Sequence, residues 1–361
     1  MSHKSIAIIG TVGVPAIYGG FETLVEYLTK YLGKDYDLTV YCSSKSYPNQ
    51  LTEYNNAKLV YIPLNANGVQ SIPYDIFAIF KALFYADVLL ILGVSGCIVL
   101  PFVKCFSRKK IIVNIDGMEW RRNKWNKFAK WFLKFSEKIA IKYADGVVTD
   151  NQVITDYVLS EYGVKSTLIA YGGDHAIAKP LSKKVLSLYA FLKTDYAFTV
   201  CRIEPENNIH IILEAIVLQD SLPLVLIGNW QASQYGRDLF NKYAGINHIF
   251  LLDPIYDQDI LNQLRSNCFV YLHGHSAGGT NPSLVEAMNL GLPILAYDVN
   301  YNRETTDNVA LYFSDANDLV QLIIRLDKES LLAMGKRMRD IAVERYQWKS
   351  IAEQYATLID Q

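Results

Sequence analysis

From end to end, short runs rich in Ile, Val and Leu alternate with longer amphipathic stretches. This alternation constrains the fold more than any other feature, because repeated strand–helix units build parallel sheets buried on both faces. The first half carries strand candidates at Ser5–Gly10, Leu38–Cys42, Lys58–Ile62, Val88–Leu92, Lys110–Asn114, Gly146–Thr149 and Thr167–Ala170. The second half starts again with Ala197–Arg202, Leu224–Gly228, His248–Leu251, Phe269–His273, Pro293–Tyr297 and Ala310–Phe313. Helices are expected between them, among others at Phe21–Tyr31, Asn208–Leu218, Ile260–Ser266 and Ser283–Leu290. So many strands in 361 residues exceed one compact core. The expected architecture is α/β, with two Rossmann-like domains at 1–175 and 190–340. The polar tract Ser43–Asn56 reads as a surface loop or sheet edge.

A composition of 51% apolar and 20% charged residues supplies two cores and excludes a disordered chain. The five cysteines are scattered and form no C-x-x-C pair, so they read as reduced core residues. Ile6–Gly10 is too short for the apolar part of a signal peptide, and the uncharged run Val88–Val103 is broken by Gly93, Gly96 and Pro101. A cytoplasmic location is the expectation. The net charge of −1 conceals a +9 segment: Lys104–Lys142 holds 12 Lys and Arg against three acids.

Three constellations suggest ligand chemistry. The first is Gly10-Thr-Val-Gly-Val-Pro-Ala-Ile-Tyr-Gly-Gly-Phe-Glu22, a glycine-rich loop that opens the first long helix. There the amides of Gly19 and Gly20 could approach an anion such as a diphosphate, a tight turn being the plain alternative. The second is His273-Gly-His-Ser-Ala-Gly-Gly-Thr-Asn-Pro-Ser-Leu-Val-Glu286. Asn281 can cap a helix starting at Pro282, and the amides of Gly279, Thr280 and Ser283 could face an anion. Glu286 could accept from sugar hydroxyls or merely offset the helix dipole. The third is Arg202, closing a strand, where a guanidinium suits a phosphate group.

Together these stretches resemble retaining glycosyltransferases of family 4, whose GT-B fold sets two Rossmann-like domains about a central cleft. The resemblance runs through Glu286-Ala-Met-Asn-Leu-Gly-Leu-Pro293, Tyr171-Gly-Gly-Asp174, Ile227-Gly-Asn229 and the nucleobase-facing loop Leu252-Asp-Pro-Ile-Tyr256. The tail, 341–361, resembles a closing helix that returns to the first domain. Pro15–Glu22, Asp116-Gly-Met-Glu-Trp120 and His273–Pro282 are similar to stretches of bacterial rhamnosyltransferases of capsule and cell-wall assembly. Two positions depart from the broader pattern. Gly278 stands where a sugar-contacting glutamate is usual, and Asn207 where a lysine often accompanies the arginine.

The resemblance implies an acceptor-binding first domain, a nucleotide-sugar-binding second domain, and transfer of L-rhamnose from dTDP-rhamnose to a polyprenyl-diphosphate-linked sugar. A β-1,4-rhamnosyltransferase without metal or other cofactor is the expectation. Donor contacts fall to Gly19, Gly20, Arg202, Gly228, Asn229, Gly278, Gly279, Thr280, Asn281, Ser283 and Glu286. Arg202, Asp116 and Glu286 are the candidate catalytic residues, although Asp116-Gly117 could equally be a structural turn. Asp257-Gln-Asp259 spells a metal-binding D-x-D but sits where it would cap a helix. A sugar-nucleotide epimerase and a catalytically weak membrane-bound partner are the alternatives.

Acceptor and membrane contacts are expected from Glu119, Trp120, Arg121, Arg122, Trp125, Lys127, Lys130 and Lys134. A helix from about Arg121 would place Trp125, Phe128, Phe132, Phe135 and Ile139 on one face, flanked by lysines. That face suits either an anionic membrane surface or the domain core. No nucleic-acid recognition motif accompanies the basic segment, so a nucleic acid is not an expected partner.

Overall fold

The computed structural model describes residues 3–17, 19–122 and 125–361; Tyr18 of the first glycine-rich loop and Lys124 of the basic segment lie outside them. The chain divides into two compact units, Met1–Tyr171 with Trp348–Gln361, and Gly172–Gln347.

The first unit is built on β1 (Ser5–Ile9), β2 (Asp37–Ser43), β3 (Glu53–Tyr54), β4 (Ala57–Ile62), β5 (Val88–Leu92), β6 (Lys110–Asn114), β7 (Gly146–Thr149) and β8 (Thr167–Leu168). Their order is β3-β4-β2-β1-β5-β6-β7-β8. Every pairing is parallel except β3 with β4. Every residue of β5 is buried, as are Ile6–Ile9 of β1, which explains their unbroken apolar sequences. Strand order reverses beside β1, which pairs with both β2 and β5, and in such sheets the loops at the carboxyl ends around this point form the ligand crevice. Gly10 makes that junction possible. Its φ is +92°, and a Cβ there would lie 1.9 Å from the Leu92 carbonyl oxygen. The polar tract contributes β3, because Asn55 and Asn56 accept positive φ in a two-residue turn back into β4.

The second unit holds β9 (Ala197–Val200), β10 (Leu224–Ile227), β11 (Ile249–Leu252), β12 (Val270–His273), β13 (Ile294–Tyr297) and β14 (Leu311–Phe313). All pair in parallel in the order β11-β10-β9-β12-β13-β14, with the reversal beside β9. Ile209, Ile212, Leu213 and Ile216 of the helix Ile209–Leu218 pack into this unit's core with Leu226, Trp230 and Phe313.

The closing stretch is not one helix from 341. A helix Lys328–Arg345 ends inside the second unit, and Trp348–Asp360 is a separate helix of the first. Trp348 stacks on Tyr27 at 4.7 Å, Asn114 Nδ2 donates to Tyr355 Oη (2.9 Å), and Lys110 Nζ donates to the Leu358 carbonyl (2.6 Å).

The basic helix also begins later than its aromatic spacing suggests. It spans Lys127–Tyr143, capped by Asn126, whose Oδ1 accepts from the Ala129 amide, while Glu119–Arg121 forms a single 3-10 turn. Its buried side is Leu133, Ser136, Glu137, Ala140 and Ile141. Phe128, Trp131 and Phe135 instead remain 73%, 60% and 40% exposed, with Trp131 and Phe135 stacked on one another.

Candidate functional site

In the second unit, the carboxyl ends of the neighbouring strands β10, β9 and β12 bring together most of the expected donor contacts. Arg202 follows β9 and is exposed; Glu204 Oε1, 3.9 Å away, is too far to hold it tightly. Its backbone is pinned by Asn207, whose Nδ2 donates to the Arg202 carbonyl (2.7 Å). That orientation leaves Asn207 Oδ1 to accept from His275 Nδ1 (2.7 Å), which assigns the proton to that ring nitrogen. Asn208 Nδ2 donates to the Gly274 carbonyl, and Ser276 donates to the Glu206 carbonyl from both its amide and its hydroxyl. The position that departs from a lysine is therefore a buried tie between the loops after β9 and β12.

Gly228 and Asn229 follow β10; Gly228 is buried, and Asn229 is exposed, with its Oδ1 accepting from the Gln231 amide. Gly278 (φ +96°) and Gly279 are half-buried and Thr280 is buried in the loop after β12. Asn281 caps the helix Pro282–Asn289 as expected. One expectation is corrected there: the Ser283 amide and hydroxyl both donate to Asn281 Oδ1 (3.0 and 2.8 Å), so that amide is already engaged. Tyr256, beyond β11, is 64% exposed.

Glu286 differs most from a free sugar ligand. Its Oε1 lies 2.8 Å from His175 Nε2, and its Oε2 accepts from Arg265 Nη1. Burial pushes its carboxyl up, but the charges and hydrogen bonds of Arg265 and His175 prevail and hold it at about 2. Neither partner stands out in the sequence: Arg265 is a lone arginine in an amphipathic helix, and His175 lies in a loop. His273 is buried and neutral, its imidazole pushed down to about 3, and its Nε2 finds no hydrogen-bond partner among the described residues.

In the first unit the glycine-rich loop is held by carboxylates. Glu22 Oε1 accepts from the Val12 amide (3.3 Å), and Glu26 accepts from the Ala16 amide (2.6 Å) and from Tyr54 Oη (2.8 Å). Gly19 caps the helix Gly20–Leu32, and a Cβ on it would fall 1.8 Å from Glu22 Oε2. The anion cradle expected at Gly19 and Gly20 therefore already faces a negative charge at the helix start, which offsets the dipole a diphosphate would use.

Asp116 follows β6 with φ +56°, close to Met118 at +28°, and its amide donates to Asn114 Oδ1 (3.0 Å). Two non-glycine residues in strained conformations at a strand end favour a functional loop over a plain turn. Burial, followed by the carboxylates of Asp116, Asp150 and Glu22, pushes the Tyr171 hydroxyl well up. That Glu22, Asp116 and Asp150 all act on Tyr171 was not legible, since they follow different strands.

The expected acceptor and membrane residues separate into two groups. Glu137 is buried and accepts from Trp120 Nε1 (3.1 Å), Tyr157 Oη (2.6 Å) and Tyr162 Oη (2.7 Å). Lys134 is half-buried, sits over the rings of Trp120, Tyr157 and Tyr162 and is 3.0 Å from Glu161, so its charge is engaged within the fold. Glu119 pairs with Arg122 (2.8 Å) and accepts from Trp125 Nε1 (3.0 Å), while Arg121 covers the Trp120 ring and is exposed. Lys127 and Lys138 are exposed and Lys130 half-buried, on the helix that presents Phe128 and Trp131.

Asp257 Oδ1 accepts from the Asp259 and Ile260 amides as the cap of the helix Gln258–Ser266, and Asp259 pairs with Lys179. The D-x-D spelling thus has a structural account.

Comparison with known proteins assigns the two parts of the chain. Residues 3–174 match a domain of unknown function (DUF1972), and residues 188–348 match glycosyl transferases group 1. An uncharacterized glycosyltransferase of Methanocaldococcus jannaschii is 21% identical to this chain over 95% of each. Sucrose-phosphate synthase of Thermosynechococcus elongatus shares the fold at a TM-score of 0.83, with 17% identity over 99% of this chain and 98% of its own. Anabaena HepE, solved with UDP and glucose, gives 0.77 at 14% identity over 99% of both. The two-domain α/β fold with parallel sheets is therefore the GT-B fold of these neighbours, and the part that matches the group 1 model carries Arg202, the loop after β12 and Glu286.

Proposed function

We propose that the protein is a retaining glycosyltransferase that moves L-rhamnose from dTDP-rhamnose to a polyprenyl-diphosphate-linked sugar during surface polysaccharide synthesis. The observation that carries the reading is Arg202, an exposed guanidinium on a pinned backbone at the carboxyl edge of the part that matches glycosyl transferases group 1. A nucleotide-sugar donor accords with the UDP and glucose bound by Anabaena HepE. Rhamnose is supported by the three sequence stretches similar to rhamnosyltransferases.

In this mechanism the bond between the anomeric carbon and the diphosphate oxygen breaks while the acceptor oxygen attacks from the same face. The departing phosphate takes the acceptor proton, so no enzyme nucleophile is required. Arg202 and the amides of Gly279 and Thr280 stabilise the charge that develops on the diphosphate, without a metal ion in this reading. Glu286 accepts from donor hydroxyls, and Asp116 orients acceptor hydroxyls.

The reading includes a peripheral position on the inner face of the cell membrane. Among the described residues no helix is long and apolar enough to cross a membrane. Phe128, Trp131 and Phe135 leave a large aromatic surface exposed, flanked by Lys127, Lys130 and Lys138. Aromatic rings suit the headgroup boundary, and each lysine near an anionic surface adds about 1 kcal/mol. Changing Lys127, Lys130 and Lys138 together to Glu is expected to weaken binding to phosphatidylglycerol vesicles at least about tenfold. Equal sedimentation of both proteins with the vesicles would sink this docking assignment.

The transfer itself is tested by offering dTDP-rhamnose, UDP-glucose and other nucleotide sugars with a synthetic lipid-diphosphate monosaccharide and weighing the products. A rhamnosylated lipid from dTDP-rhamnose is expected. Transfer only from another sugar nucleotide would replace the donor, epimerisation without acceptor would replace the reaction, and nucleotide binding without turnover would point to a non-catalytic partner.

A further inference from the structure

We propose that His175 and Arg265 are positioning residues that hold the Glu286 carboxylate, leaving its remaining lone pairs to accept two hydroxyls of the nucleotide sugar. This rests on the reading above that Glu286 binds the donor. An ionised carboxylate only accepts hydrogen bonds, so His175 Nε2, 2.8 Å from Oε1, must be the donor there. Arg265 Nη1 donates to the other oxygen, and Arg265 Nη2 is itself fixed by Asn262 Oδ1 at 2.9 Å. Two of roughly four acceptor positions on the carboxylate are thereby used. The Glu286 side chain keeps 16% of its surface exposed, so it is not sealed in the core.

The backbone around His175 is built for this contact. Gly173 lies so close to the helix Pro282–Asn289 that a Cβ on it would be 2.3 Å from the Val285 carbonyl oxygen and 2.9 Å from the Glu286 nitrogen. The Gly173 amide donates to the Tyr346 carbonyl (2.9 Å), and Asn289 Nδ2 donates to the Ala176 carbonyl (3.1 Å). The segment is therefore fastened on both sides of His175. Arg265 is almost wholly buried, and its charge is directed at Glu286, so it serves this carboxylate and leaves diphosphate neutralisation to Arg202.

A merely structural ion pair and a positioning pair differ in kinetics. Donor KM and kcat are measured for wild type, Glu286→Ala, His175→Ala and His175→Gln, using dTDP-rhamnose and UDP-glucose in parallel. His175→Ala is expected to raise the donor KM about tenfold with kcat within about twofold, as for the loss of a hydrogen bond to a charged group. His175→Gln, which restores an N–H donor, is expected to recover most of that loss. Should the alanine form fail to fold, His175→Met keeps the volume without the donor and is read the same way. An unchanged donor KM in the 175 variants alongside a raised KM in Glu286→Ala would overturn the positioning role. An unchanged KM in Glu286→Ala would instead overturn the donor-binding reading beneath it.

Discussion

Replacing Arg202 by alanine is expected to lower glycosyl transfer by about 10²–10³-fold, with most of the loss in kcat. That is the typical effect of removing one preorganised group from a developing negative charge, about 2.7–4 kcal/mol. The full effect is expected because other polar groups at this edge are committed elsewhere. The neighbouring position 207 is an asparagine that ties Arg202 to His275, and Arg265 is neutralised by Glu286. Arg202→Lys should recover only part of the activity, since an ammonium supplies charge without the planar fork that grips a phosphate. Initial rates with the donor that turns over decide the matter, and transfer by Arg202→Ala at the wild-type rate would remove Arg202 from the chemistry.

The largest expected effect on stability is at Arg265. Its removal leaves the half-buried Glu286 carboxylate with one charged partner fewer, and breaking a pair whose arginine is wholly buried costs up to about 3–5 kcal/mol. Urea unfolding of Arg265→Ala should show that loss near neutral pH, and Glu286→Gln in the same chain should restore much of it. The pH dependence has a definite sign. In the folded protein the Glu286 carboxyl lies at about 2, below its ordinary 4.5. The stabilisation is therefore complete above about pH 4.5 and is lost as the pH falls toward 2, amounting to about 3 kcal/mol at the rate of 1.36 kcal/mol per unit. In Arg265→Ala, burial is opposed by His175 alone, so this acid-side loss should shrink. An identical acid profile in the two proteins would show that Arg265 does not control the carboxyl.

The strands were legible because their signal is local. Val88–Leu92 and Lys110–Asn114 are apolar runs between breakers, and a parallel sheet buries such runs whole. Gly10 was legible as well, as a glycine closing a strand, although the Leu92 carbonyl that demands it lies far along the chain. The Asn281 cap follows from an Asn-Pro pair ahead of an apolar helix.

The partners of charged groups were not legible, because charge is compensated across the fold and not along the chain. Glu286 meets an arginine 21 positions before it and a histidine 111 before it, and no periodicity links them. Glycines and a helix start at residues 19–20 suggested an anion site, and the Glu22 carboxylate folding back against Gly19 was not foreseen from them.

The basic helix shows where the division falls. Its amino acids specified a helix, an aromatic stripe and a row of lysines, since those depend on composition and spacing. Which side faces inward depended on what the neighbouring elements offer. Trp120, Tyr157 and Tyr162 supply three donors to Glu137, so a carboxylate is buried while Trp131 stays in solvent. Hydrophobicity alone ranks those two residues the other way, and a satisfied hydrogen-bond network outweighs that ranking only once the chain has folded around it.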